Sequence, residues 1–175
     1  MKEWILNTAE LKNKISLIAA GDRVLLSGTV FTARDAAHKR IFSLIESGEK
    51  LPFPIDGAAI YYAGPTPAPP HMAIGSCGPT TSSRMDVYTP TLLDAGLVCM
   101  IGKGQRSEEV VNSIIKNKAI YLCSVGGAGA LAAEHITNCE EIAFKDLGCE
   151  SIKKLQFDNF PLICAIDSHG VSLFE

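Results

Sequence analysis

No run of about 18 or more apolar residues occurs in this 175-residue chain, so no segment is predicted to span a membrane. Runs of Lys and Arg are also missing. With 16 basic against 19 acidic residues the net charge is −3, which argues against nucleic acid as the main partner. Six cysteines are present (Cys77, Cys99, Cys123, Cys139, Cys149, Cys164), but they form no CxxC pair and no cluster with histidine. That spacing argues against a zinc or iron–sulfur site held by this chain alone. His71 and His135 have no metal-spaced partners and read as surface or packing residues. A full GxGxxG fingerprint with an acid about 20 residues on is absent as well. The Gly126-Gly127-Ala128-Gly129 run therefore reads as close backbone packing rather than a nucleotide loop. Neither an internal repeat nor a low-complexity segment appears. The opening Met1-Lys2-Glu3-Trp4 carries an early acid and no long apolar region, which predicts a cytoplasmic protein without a secretory signal.

What is present is an ordinary globular composition, 47% hydrophobic and 20% charged, in a length that fits one domain over 1–175. Leu11, Ile15 and Ile18 share a helical face, so residues 1–20 read as an N-terminal helical segment packed on that domain. A strand over 23–27, a loop over 28–32 and a helix over 33–47 closed by Gly48 follow. Strands are then expected over 57–63 and 97–101 and over 119–125. Between them stand helices over 83–95, bent or split at Pro90, and over 107–116, with a short one over 130–134. Four prolines make 64–70 a stiff surface loop or contact arm. The tail from 141 reads as shorter alternating strands. Strands alternating with helices predict an α/β fold, a mixed central sheet with flanking helices.

In such sheets ligands gather where strand C-termini meet the next loop. The most informative stretch, Gly75-Ser76-Cys77-Gly78-Pro79-Thr80-Thr81-Ser82-Ser83-Arg84-Met85-Asp86, has that form. Met72, Ala73 and Ile74 read as a strand end, glycines break it, and hydroxyls then lead into a helix opened by Arg84. Free N–H groups, hydroxyl donors and a guanidinium fork suit a carboxylate or phosphate. The same residues also suit an ordinary Ser/Thr N-cap, and both readings stand on this stretch alone. Arg34 and His38, four apart, share a helix face, as a carboxylate clamp or as an exposed helix start where Asp35 complements the dipole. Lys103 between two glycines is a ligand-facing cation or a solvated turn lysine. If the strands run parallel, Arg34, Thr80, Arg84 and Lys103 converge on one pocket suited to a small dianion.

Four segments in order, Gly28 to His38, Ala63 to Pro67, Gly78 to Asp86 and Ile101 to Gly104, resemble the β portion of the oxygen-sensitive iron–sulfur hydro-lyases, the class I fumarate hydratases and L-tartrate dehydratases. The resemblance runs from about residue 21 to the C-terminus. It implies a swivelling β/β/α-type domain made as a separate β subunit, with a [4Fe–4S] cluster ligated by the partner α subunit. Carried over residue by residue, it implies that Arg34, Arg84 and Lys103 bind substrate carboxylates and that Thr80 moves the proton at carbon. His38, Thr81 and Asp86 would support them from behind, Asp86 by orienting Arg84. The implied reaction is reversible hydration of fumarate to (S)-malate. The implied assembly is an α2β2-like hetero-oligomer, or a homodimer when the chain is isolated. An L-tartrate dehydratase β subunit and a non-enzymatic domain that binds a dicarboxylate or other anion are the alternatives.

Overall fold

A computed structural model describes residues 1–174. Strand β1 (Glu3–Asn7) leads through short 3-10 turns and a one-turn helix α1 (Leu11–Lys14) into the long strand β2 (Arg23–Thr32). Helix α2 (Asp35–Glu46) and strand β3 (Ala59–Tyr61) follow. A 3-10 turn, Ser82–Met85, precedes helix α3 (Thr89–Asp94), strand β4 (Cys99–Gly102), helix α4 (Glu108–Asn117) and strand β5 (Ile120–Cys123). Helix α5 (Gly129–Glu134), strand β6 (Ile136–Ala143) and the 15-residue strand β7 (Ile152–Ile166) complete the chain.

Strands β2, β3, β4 and β5 pair in parallel, as alternation with helices predicts. The sheet is not open, however. Strand β7 pairs antiparallel with β5 at one end and with β2 along most of its length, so the five strands form a closed ring. Strands β1 and β6 add to β2 and β7 from outside the ring. Closure leaves the ring itself without an edge, and β1 and β6 carry the outer edges.

Period-two alternation splits the ring strands into two packed faces. Ala59, Tyr61, Cys99, Ile101, Ile120 and Leu122 join Val24, Leu26, Phe157 and Phe160 in one buried cluster. This cluster draws on all five ring strands and on no residue of α2, α3 or α4, so it is the barrel interior. Ile60, Met100 and Tyr121 point the other way, against Ala37 and Ile41 of α2, Leu92 of α3 and Val110 and Ile114 of α4. Burial on both faces explains why β3, β4 and β5 read as unbroken apolar runs.

Several expectations change. Residues 28–32 are not a loop: a β-bulge between Leu26 and Gly28 lets β2 run on to Thr32. Residues 3–7, inside the segment read as helical, form β1, although Leu11, Ile15 and Ile18 are all buried as a helical face would be. No strand forms at 72–74. Instead 64–77 is an irregular excursion that folds back through Thr66 N to Ser76 O at 3.0 Å. Pro90 does split its helix, at the first turn of α3. The tail is one long strand after β6 rather than several short ones. Among the described residues, no helix is long and apolar enough to cross a membrane.

Candidate active site

Arg34 is the N-cap of α2, with extended backbone and no capping bond from its own side chain. Its carbonyl begins the helix by accepting from His38 N at 2.7 Å. The capping role passes to Glu150, far along the chain, whose Oε2 accepts from Ala36 N at 2.8 Å. That carboxylate complements the positive end of the helix. It also lies 3.5 Å from Arg34 Nε, and Asp35 Oδ2 lies 3.3 Å from the same nitrogen. Both ion pairs of Arg34 have their closest approach at Nε, and among the described residues its terminal nitrogens donate no hydrogen bond.

Asp35 is the hub. Its Oδ1 lies 2.8 Å from Arg84 Nε, and its Oδ2 accepts from Arg84 Nη2 at 3.1 Å. Arg84 in turn donates to Thr80 Oγ1. Arg34, Asp35, Arg84 and Thr80 thus form one connected group. Partial burial pushes the Asp35 carboxyl up, but a backbone hydrogen bond together with Arg84 and Arg34 outweighs it and holds the group below the usual carboxylate range.

The turn carrying Thr80 and Arg84 is pinned on its other side to the ends of β3 and β4. Thr80 N donates to Tyr62 O at 2.7 Å, and Ser82 N to Lys103 O at 3.0 Å. Lys103 N returns a bond to Ser82 Oγ at 3.0 Å, and Thr81 bridges Lys103 in parallel register. Gly102 makes this possible, because a Cβ there would meet Ser82 Oγ at 2.0 Å. Lys103 is therefore joined to the hydroxyl turn by backbone, and among the described residues its ammonium has no carboxylate partner. Gly129 plays the corresponding part on the far side. Cys77 N donates to Gly129 O at 3.0 Å, and a Cβ at 129 would sit 2.3 Å from Ser76 Oγ. The broken glycine run is indeed a site of close backbone packing.

His38 is fully buried, with Nδ1 3.2 Å from the Arg34 carbonyl, so Nδ1 carries the proton of the neutral ring. Burial pushes its pKa down to about 4, and Arg106 adds to the effect, while the Arg34 carbonyl and Asp35 oppose it. It supports Arg34 from within the core. Cys77 is also fully buried, so this thiol of the polar loop is a packing residue. Asp86 does not orient Arg84. Its Oδ1 accepts from Arg106 Nε at 2.7 Å and its Oδ2 from Ser107 N at 2.7 Å. Asp35 does the orienting instead. Glu150 and Arg106 were not visible to sequence reasoning, because nothing in their neighbourhoods marks a partner more than a hundred or about twenty residues away. Asp35 was in view beside Arg34, but only as a complement to the helix dipole.

The site residues stand where parallel strands end: Arg34 after β2, Thr80 and Arg84 on the turn bonded to the end of β3, Lys103 after β4. A closed α/β ring with positive side chains beyond the ends of its parallel strands is the class of domain that the fold and the site define. Within that class, the chain belongs to the Fumarase C-terminus family, whose model matches residues 1–175. It is 38% identical over 168 residues to "Fumarate hydratase class I, anaerobic" of Escherichia coli, covering 95% of this chain and 31% of that protein. A second relative, "Putative L(+)-tartrate dehydratase subunit beta" of Methanocaldococcus jannaschii, is 37% identical over 170 residues, covering 94% and 87%. "L(+)-tartrate dehydratase subunit beta" of Escherichia coli is 33% identical over 174 residues, covering 97% and 85%. The chain spans about a third of the fumarate hydratase and most of each tartrate dehydratase subunit.

Proposed function

We propose that this chain is the β subunit of a hydro-lyase that reversibly hydrates fumarate to (S)-malate together with an α partner, against which it moves as a swivelling domain. The observation that carries the proposal is the Arg34–Asp35–Arg84–Thr80 group, with Lys103 locked to the same turn. Two forks and an ammonium suit the two carboxylates of a small dianion. The terminal nitrogens of Arg34, Nη1 of Arg84 and the Lys103 ammonium take carboxylate oxygens. Thr80 moves the proton at carbon, giving it up on hydration and taking it on dehydration. A threonine hydroxyl is a weak base, and the Arg84 N–H on Thr80 Oγ1 is what stabilises its oxygen while negative charge develops there.

The residues of this chain do not fit as ligands of the [4Fe–4S] cluster that the resemblance implies. Among those described, no three His, Cys, Asp or Glu side chains are placed to hold a metal ion, and Cys77, Cys99 and Cys164 are buried. The cluster would be held by the α partner.

The test is anaerobic co-expression with the candidate α chain, followed by a fumarate hydration assay before and after exposure to air. Turnover that needs both chains and dies in air is expected. Arg84→Lys, which keeps the charge and loses the fork, should lower kcat/KM by about 100-fold or more, in the range seen when one charge-stabilising donor is removed. Near-normal turnover in that variant would remove Arg84 from the site. Activity confined to tartrate would move the substrate assignment, and dicarboxylate binding without any turnover would favour a sensor.

A further inference from the structure

Arg106 is a buried charge that the proposed chemistry does not use. Its side chain is 0% exposed and that of its partner Asp86 is 12% exposed. The guanidinium lies 4.9 Å from the Tyr121 ring centroid and 5.4 Å from that of Tyr62, within cation–π range of both. Every nitrogen is engaged. Nε donates to Asp86 Oδ1 at 2.7 Å, Nη2 donates to Thr89 Oγ1 at 2.8 Å, and Nη1 lies 3.5 Å from Met100 Sδ. Thr89 passes the contact on, donating to the Met85 carbonyl at 2.9 Å. Met85 ends the 3-10 turn that carries Arg84.

The second half of the network runs through Tyr121. Its hydroxyl is 2.9 Å from both Ser82 Oγ and the Gly104 carbonyl. With one proton to give, Tyr121 donates to the Gly104 carbonyl, which can only accept, and receives from the Ser82 hydroxyl, whose lone pair takes Lys103 N–H. The Tyr121 ring faces Arg106. The guanidinium therefore touches Asp86 and Thr89 behind Arg84 and Tyr121 beside Ser82, while its own backbone lies in the 104–107 segment that follows Lys103.

Burying an ion pair gives little net stability over apolar residues of the same size, so this pair is better explained by the geometry it enforces. We infer that Arg106 is a positioning residue: clamped on Asp86 and Thr89, it sets the 80–84 turn against the 102–104 turn and thereby fixes the spacing of Arg84 and Lys103. The inference rests on the proposed use of those two cations to hold a dicarboxylate. A lysine at 106 would keep the charge but could not reach Asp86 and Thr89 together.

The experiment compares wild type, Arg106→Lys and the milder, near-isosteric Thr89→Val in the assembled α–β enzyme with fumarate and with tartrate. The expected result is a rise in KM of at least about tenfold for Arg106→Lys, a smaller rise for Thr89→Val, and a kcat that falls less than KM rises, the pattern of lost ground-state binding. Amide hydrogen exchange supplies a readout that does not need turnover. Lys103 N and Ser82 N, which bond across the two turns, should exchange at least about tenfold faster in Arg106→Lys, with barrel amides such as those of β4 and β5 unchanged. Unaltered KM in both variants, or exchange that rises uniformly through the barrel, would overturn the positioning role. An inert wild-type assembly would instead sink the hydro-lyase proposal. The exchange pattern would then still decide whether Arg106 holds the two turns together.

Discussion

His38 shows how one side chain ties the core to the rim of the site. Its ring is edge-on to Tyr62 at 5.1 Å, and its Nδ1 bonds the Arg34 carbonyl that starts α2. Burial moves its ionisation from 6.5 down to about 4. The folded state therefore resists a proton that the unfolded chain accepts readily. Stability from this residue is complete above about pH 6.5 and is lost as pH falls toward 4. The full difference corresponds to roughly 3 kcal/mol. Urea unfolding from pH 7 to pH 4 should show a steeper loss in wild type than in His38→Gln, in which the titrating group is gone. Parallel curves would mean that His38 protonates in the folded protein without cost. Four side chains of the candidate site were legible in the sequence: Arg34, Thr80, Arg84 and Lys103 each follow a glycine turn or open a helix. Glu150, which pairs with Arg34, and Arg106, which pairs with Asp86, were not, because an ion pair across a fold leaves no mark in a local window.

At the level of elements the same contrast holds. Strands β3, β4 and β5 were visible because burial on both faces makes them apolar throughout. Strand β1 was not, since only Leu6 is buried among Glu3–Asn7. Strand β7 reads as fragments because Lys154, Gln156, Asp158, Asn159 and Pro161 interrupt its buried positions, and only pairing on both flanks makes it continuous. The junction of β4 with the hydroxyl turn is equally non-local. It depends on Gly102 admitting the Ser82 hydroxyl, with Tyr62 also 2.9 Å from where a Cβ would stand. Gly102→Ala should force Ser82 off Lys103 N and lower stability by about 1–3 kcal/mol, the usual penalty of overpacking. A loss of turnover should accompany it. Denaturant midpoints measured beside activity check both parts, and an unchanged midpoint with normal activity would show that the turn has slack.

Over the whole molecule, ring closure makes the barrel interior a support for the site. Phe157 and Phe160 of β7 stack at 4.1 Å, and Tyr61 of β3 meets them edge-on at 5.9 and 5.6 Å. The Tyr61 hydroxyl then donates to the Cys77 carbonyl at 2.8 Å, inside the loop that leads to Thr80. Removing a ring from this stack leaves a cavity beside Tyr61, so Phe157→Ala should cost about 3–5 kcal/mol. The loop should loosen with it. Cys77 reports that directly: burial, with Cys139 adding to it, pushes its thiol up to about 12, and no part of it is exposed. Iodoacetamide at neutral pH should therefore spare Cys77 in the wild-type chain while alkylating the exposed Cys149. In Phe157→Ala, Cys77 labelling should rise by more than the globally unfolded fraction explains, because the tether from Tyr61 has been weakened. Labelling that follows global unfolding alone would uncouple the loop from the barrel and leave its placement to the Gly129 contact.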